Sequence, residues 1–245
     1  MFIRFFILAI FISPTLISQV ANDSIKLFPK IKSIELNVGV TNSTGGFNRL
    51  VPGNSETSAF ALPGIKLDAA YNIQMYKHMG VKAMLVYQNN QIDDKRYLRD
   101  LISKNPLNSY SMSAGGWNNI AAMLGVFGNF NLGKHVHFQP RFCFGFNYGL
   151  SPKIDLTVSD SLKNVSVISQ KHGNAVAFSF LLGTDFKIDL AKKYQLLFGF
   201  DAFSSDLVFQ NIRVENSSTN LVTFFTAHQS VGTLAFKIGI CKIIN

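Results

Sequence analysis

Val136-His-Phe-Gln-Pro-Arg-Phe-Cys-Phe-Gly-Phe-Asn-Tyr148 alternates with a period of two. Val136, Phe138, Phe142, Phe144, Phe146 and Tyr148 fall on one side. His137, Gln139, Arg141, Cys143, Gly145 and Asn147 fall on the other. Successive side chains of a strand point to opposite faces, so the segment builds one apolar wall and one polar or small wall. A soluble strand alternates too, but it usually stops after about 5–6 residues. A tilted strand crossing a bilayer needs about 9–11.

The pattern recurs along the chain. Ile65, Leu67, Ala69, Tyr71 and Ile73 oppose Lys66, Asp68, Ala70, Asn72 and Gln74. Val81, Ala83, Leu85 and Tyr87 oppose Lys82, Met84, Val86 and Gln88. Comparable segments run from Asn119 to Phe130, from Val176 to Lys187, from Tyr194 to Asp201 and from Leu234 to Cys241, with a shorter one over Ile34 to Val40. That makes about eight strands, the smallest usual membrane barrel. The connections alternate as well. Lys77 to Gly80, Asn131 to His135 and Leu190 to Lys193 are tight. Thr41 to Gly64, Asp93 to Gly116, Ser151 to Gly173 and Ser204 to Gln229 are long. Short turns on one side and long loops on the other are the layout of a transmembrane barrel. A Phe-rich soluble β-sandwich, the competing fold, gives no reason for this alternation. Two long connections carry hairpin signals of their own: Leu207–Val214 with Leu221–Thr226 about Asn216-Ser-Ser-Thr-Asn220, and Ile154–Val158 with Val165–Ile168.

Composition agrees. The 245 residues are 47% hydrophobic but only 15% charged, and 23 of them are Phe. Soluble domains carry about 25% charged residues. Mean hydropathy is +0.19, between a soluble protein and a helical membrane protein, as expected when each strand is apolar on one face only. No segment after the N-terminus has the roughly 18 consecutive apolar residues of a membrane helix. In a bilayer only a closed barrel then satisfies the backbone. The expected fold is all-β, an antiparallel transmembrane β-barrel of eight strands with short periplasmic turns and long extracellular loops. The net charge is +9, but the lysines and arginines are scattered without a dense basic run, so lipopolysaccharide and lipid headgroups fit better than nucleic acid.

The first residues read as an address. In Met1-Phe-Ile-Arg-Phe-Phe-Ile-Leu-Ala-Ile-Phe-Ile-Ser-Pro-Thr-Leu-Ile-Ser18, Arg4 supplies a positive start, Phe5 to Ile12 an apolar stretch and Pro14 its break. This is the layout of a signal peptide. Cleavage is expected after Ser18, with the bond after Ala21 as second choice. The domain reading is a signal peptide over 1–18, a short tail over 19–32 and a barrel over 33–245.

With these features together, the chain resembles the small outer-membrane β-barrel proteins of Bacteroidetes-type bacteria. The Ser18-Gln19 junction is similar to their cleavage site. Gly125-Val-Phe-Gly-Asn-Phe-Asn-Leu-Gly133 and Leu181-Leu-Gly-Thr-Asp-Phe186 resemble their strand-turn texture. The resemblance implies residence in the outer membrane, delivery by the barrel assembly machinery, and lipid and lipopolysaccharide as surroundings. One branch of the family resembles components of a protein secretion and gliding apparatus, which implies a protein partner. The residues themselves favour a structural or surface-interaction role, with a narrow porin-like channel as the alternative. One departure stands out: such barrels commonly end on an aromatic residue, whereas this chain ends Cys241-Lys-Ile-Ile-Asn245.

The candidate site is the lumen. Glu35, Lys66, Asp68, Lys82, Arg141, Asp185, Asp201 and Lys237 all fall on inward positions. The interior of an eight-stranded barrel is just wide enough for side chains to fill. The expectation is a paired ionic plug, the alternative a narrow polar pore. Arg141 is expected near mid-height with Asp68 or Asp201 as partner, since its planar fork suits a bidentate carboxylate contact. Cys143 and Cys241 are expected to stay unbridged. Asp93-Asp-Lys-Arg-Tyr-Leu-Arg-Asp100 reads as a solvated loop base with a helical turn, with Ca²⁺ or a partner as the alternative. His228-Gln-Ser230 resembles the His-x-Ser of outer-membrane lipid A deacylases, but Val231 to Ile244 holds no acid to orient the histidine. His78, His135, His137 and His172 form no metal set, and no residue pattern implies a cofactor.

Overall fold

The computed structural model describes residues 31–48, 59–162 and 164–244. The expected signal peptide and most of the expected N-terminal tail lie outside them. The chain order is β1 (Ile31–Thr44), β2 (Ala61–Gln74), β3 (Met79–Ile92), α1 (Asp94–Lys104), β4 (Ser109–Ala114), β5 (Gly116–Gly128), β6 (Phe130–Asn131), β7 (Val136–Leu150), β8 (Ile154–Ser159), β9 (Val165–Gln170), β10 (Asn174–Ala191), β11 (Tyr194–Asn216) and β12 (Leu221–Ile244).

Eight of these strands close a ring. Going round it, β1, β2, β3, β5, β7, β10, β11 and β12 each pair antiparallel with the next, and β12 returns to β1. Sequence neighbours are therefore ring neighbours, and no edge is left within the wall. β4, β8 and β9 form a side sheet that hangs from β11 beyond the wall. The antiparallel eight-stranded barrel is the architecture read from the sequence.

The wall is inside-out relative to a soluble protein. Leu36 on β1 is 63% exposed and Phe146 on β7 is 64% exposed. Aromatic rings crowd the outer surface between neighbouring strands. Phe178 and Phe180 lie 4.8 Å apart, and Phe200 and Phe236 5.1 Å apart. The inward positions are charged, polar or small. In water a continuous apolar belt of this kind would drive association. In a bilayer it is the surface the solvent requires. No helix among the described residues is long and apolar enough to cross a membrane.

Short turns join the wall strands at residues 75–78, at 192–193 and, with the two-residue β6, between β5 and β7. Both ends of the barrel's chain, Ile31 and Ile244, lie on that side. The opposite end carries α1 and the β4–β8–β9 sheet. α1 is longer than the expected helical turn. Asp93 caps it by accepting from the Arg96 N–H at 2.9 Å, and Asp94 and Lys104 sit at the ends where the helix dipole favours them.

One expected loop is not a loop. Ser204 to Gln229 continues the β11–β12 pairing to Asn216 and Leu221, leaving only residues 217–220 as the turn. The cause is burial. Leu207, Phe209 and Ile212 from β11 and Ala227 and Val231 from β12 keep filling an apolar cluster beyond the belt, and their backbone must stay paired to be buried there. The polar residues that gave a loop-like reading lie on the outer face. A bulge between Phe209 and Ile212, with Asn211 in the left-handed region, bends the hairpin. The hairpin signals at 154–168 and 207–226 correspond to β8–β9 and to this extension.

Candidate functional site

Nine charged side chains meet inside the barrel: Glu35, Lys66, Asp68, Lys82, Arg141, Asp185, Lys187, Asp201 and Lys237. None is more than 5% exposed. Each comes from an inward position, so period-two counting brings the whole set to one compartment. Lys187 follows Asp185 on the same face of β10 and joins the charges the sequence singles out. Counting two residues on from Asp185 finds it.

The network runs as a ladder. Toward the short-turn end, Glu35 accepts from Lys82 at 2.6 Å, from Lys187 at 2.5 Å and from the Asn72 side chain at 2.7 Å. At mid-height the two arms of the Arg141 guanidinium donate to Asp185 and to Asp201. Lys66 also donates to Asp201. Lys237 lies 3.3 Å from Asp68, 3.6 Å from Asp185 and 3.8 Å from Asp201. Asn37 donates to Asp68 at 2.5 Å.

Of the two partners expected for Arg141, the structure brings in Asp201 and not Asp68; Asp185 takes the other arm. Ring position explains the difference. Arg141 stands on β7, next to β10 and two strands from β11. Asp68 stands on β2, beyond β3 and β5 on the other side, and its nearer cations are Lys237 and Lys66. Two glycines open the space. A side chain at Gly183 would meet the Asp201 carboxylate and the Arg141 guanidinium, and one at Gly199 would meet Asp185 and Lys237.

Above the ladder is a band of amides and hydroxyls. Asn90 donates to Thr41 Oγ1 at 2.9 Å, Thr233 donates to Gln88 at 3.3 Å, and Asn147 donates to Asn119 at 3.1 Å. Above that sits an apolar cap. Trp117 packs 5.9 Å from Phe47 and 5.8 Å from Phe209, and its indole donates to the Ala59 carbonyl at 3.0 Å. The cap was not legible as such, because its members come from separate loops and strand ends.

The remaining candidates do not assemble. Cys143 and Cys241 are buried and free, on β7 and β12. Among the described residues, no group of three or more His, Cys, Asp or Glu side chains is placed to hold a metal. His228 and Ser230 both point outward, and Asp206 stands opposite Ser230 on β11. No hydrogen bond among the described residues joins the three, so histidine, nucleophile and acid do not form a relay.

Fold and site together define a class: an eight-stranded transmembrane β-barrel whose lumen holds a buried charge network beneath an apolar cap. Solved structures similar to this chain include three barrels of bacterial surfaces. They are a major outer membrane protein from Thermus thermophilus (13% identity, covering 87% of this chain and 99% of that one, TM-score 0.49), the attachment invasion locus protein Ail of Yersinia pestis (7%, 89% and 100%, TM-score 0.43) and the outer membrane protease OmpT from Escherichia coli (8%, 91% and 99%, TM-score 0.38). No family model matches the chain, and no curated protein matches its sequence. The barrel assignment rests on the ring of strand pairings itself.

Proposed function

We propose that the protein is exported by its N-terminal signal and resides in a bacterial outer membrane as a closed barrel that acts through its outer face. The observation that carries this is the lumen. Its middle is filled by paired, buried ions and its upper end by aromatic side chains, while the wall matches a bilayer. An interior filled in this way supports a scaffold better than a conduit. What remains to carry activity is the outer end: α1, the β4–β8–β9 sheet and the β11–β12 hairpin, which stand on a rigid base and offer a surface to a protein, sugar or lipopolysaccharide partner. In this reading the outer end binds a partner, and the role is not catalytic.

Three measurements test it. The protein fractionates with the outer membrane. It shifts in gel mobility between unboiled and boiled detergent samples, because a closed barrel stays compact until heated. In planar bilayers it conducts little. Recovery from the soluble periplasm contradicts the location, and high, steady conductance contradicts the plug in favour of the porin-like alternative.

A further inference from the structure

The charge ladder is balanced in its upper part and unbalanced at its foot. Asp68, Asp185 and Asp201 are matched by Lys66, Arg141 and Lys237. Below them a single carboxylate, Glu35, is shared by Lys82 and Lys187. The surplus positive charge therefore lies at the short-turn end. There the barrel opens into a vestibule of about 490 Å³ lined by Lys187, His135, His137, Gln139, Asn72 and Phe127, among others.

Three further observations point to the kind of ligand. Lys187 is 4% exposed yet borders the cavity. An ammonium has three N–H donors; Glu35 takes one at 2.5 Å and Cys241 Sγ a weak second at 4.0 Å, which leaves the third. Gln139, 3% exposed, lines the cavity and has no hydrogen-bond partner for its side-chain oxygen; no bond to that oxygen fixes the carboxamide, whose NH₂ is a neutral donor available to a ligand. The rim carries Lys32, Lys77, Lys134, Lys192, Lys193 and Lys242. One acid, Asp189, also lines the cavity; it is engaged by His137 at 3.1 Å and Gln195 at 2.7 Å. A cleft in which one sign of charge predominates, with low-dielectric walls, concentrates the opposite ion.

We propose that this vestibule is an anion site that takes a phosphate ester, with the Lys187 ammonium as its central contact, Gln139 as a neutral donor and the rim lysines as the steering field. Phe127, Ile31 and Ile243 on its walls suit the carbon part of such a ligand. The site does not depend on what the outer face binds.

The test uses the full mature protein folded in a neutral detergent. Inorganic phosphate and glycerol phosphate are titrated against chloride at matched ionic strength, with the thermal unfolding midpoint and ³¹P line width as readouts. The expected result is saturable stabilisation by phosphate over chloride. Lys187→Gln should weaken binding by about tenfold or more, the loss of a charge-assisted bond, and Lys193→Gln on the rim by much less. Because Lys187→Gln also alters the ladder, Gln139→Leu is the second variant; it leaves every ion pair intact and removes the neutral donor, and should weaken binding by a smaller but measurable factor, about threefold or more. Repeating the titration in nanodiscs of phosphatidylglycerol separates the sources. A weakened apparent affinity means that the lipid headgroup occupies the site, and an unchanged one means a soluble phosphate ester does. Phosphate no better than chloride, or undiminished binding in Gln139→Leu, overturns the proposal.

Discussion

Asp201→Asn should destabilise the barrel more than Arg141→Met, although the arginine is the larger residue and the centre of the ladder. Nine buried charges, five positive and four negative, share one compartment. Arg141→Met leaves Asp185 within 3.6 Å of Lys237 and 3.7 Å of Lys82, and Asp201 bonded to Lys66. Both carboxylates keep cations, and the compartment becomes neutral. The expected loss is about 2 kcal/mol, the scale for breaking hydrogen bonds to charged groups. Asp201→Asn removes the negative charge, keeps one of the two oxygens that accept from Arg141 and Lys66 and sets an NH₂ against the other donor, and it leaves Lys237, 3.8 Å away, facing the same uncompensated neighbours. The surplus rises by one positive charge in a space that excludes water. Stranding buried charge costs about 3–5 kcal/mol. Equilibrium unfolding in urea, with the protein refolded into lipid vesicles or detergent, gives the midpoints. The double variant should be less destabilised than the sum of the two, since both changes act on one contact. If Asp201→Asn proves no worse than Arg141→Met, charge balance is not what governs this lumen.

Two further outcomes follow from other parts of the molecule. Gly183→Ala places a methyl group against the Asp201 carboxylate and the Arg141 guanidinium, so it should lower stability by about 1–3 kcal/mol through overpacking; an unchanged unfolding midpoint would mean the two groups do not meet across β10. At the outer end, hydrogen bonds from the Asn164 side chain and backbone and from the Leu162 backbone hold the Asp160 carboxyl below its ordinary value. A depressed value means the turn is favoured above the ordinary carboxylate range and loses this support as pH falls through it, so amide exchange at Leu162 and Asn164, referenced to β8, should accelerate in acid and stay level in Asp160→Ala.

The wall was legible because two independent periodicities agree. Side-chain alternation along Val136–Tyr148 fixes which residues face lipid, and the long strand between a tight turn and a long connection fixes that it crosses something. Neither signal depends on contacts between distant segments, so both survive in a single sequence. The lumen residues were legible for the same reason: Lys66, Asp68, Lys82, Asp185 and Asp201 each sit directly beside an apolar outward residue and so fall on the opposite face. Their pairing was not. Whether Arg141 reaches Asp68 or Asp185 depends on strand order round the ring and on the stagger between strands, and Gly183 and Gly199 decide which side chains pass. Sequence spacing carries none of that.

Ser204 to Gln229 reads as a hairpin over 207–214 and 221–226 but not as a continuation of the wall strands, and that gap has a more general cause. A transmembrane strand is recognised by an apolar outer face, and that face changes character where the chain leaves the bilayer. On β11 the outward residues after Ala202 are Ser204, Asp206, Val208 and Gln210, while the inward residues change the other way, from Asp201 to Phe203, Leu207 and Phe209. The strand continues, but its apolar and polar faces exchange. A criterion that follows one face sees a strand ending; one that follows alternation regardless of sign sees it pass from lipid into water. The same exchange explains the two-part lumen. Within the bilayer the wall supplies apolar contact outside, so charged groups are left to pair within. Beyond it, water solvates the outer face, and the hairpin is held together by an ordinary apolar interior around Phe209, Ile212 and Trp117. The barrel is built on one solvent rule below that level and on the opposite rule above it, with Gln88, Asn90 and Thr41 marking the level where they meet.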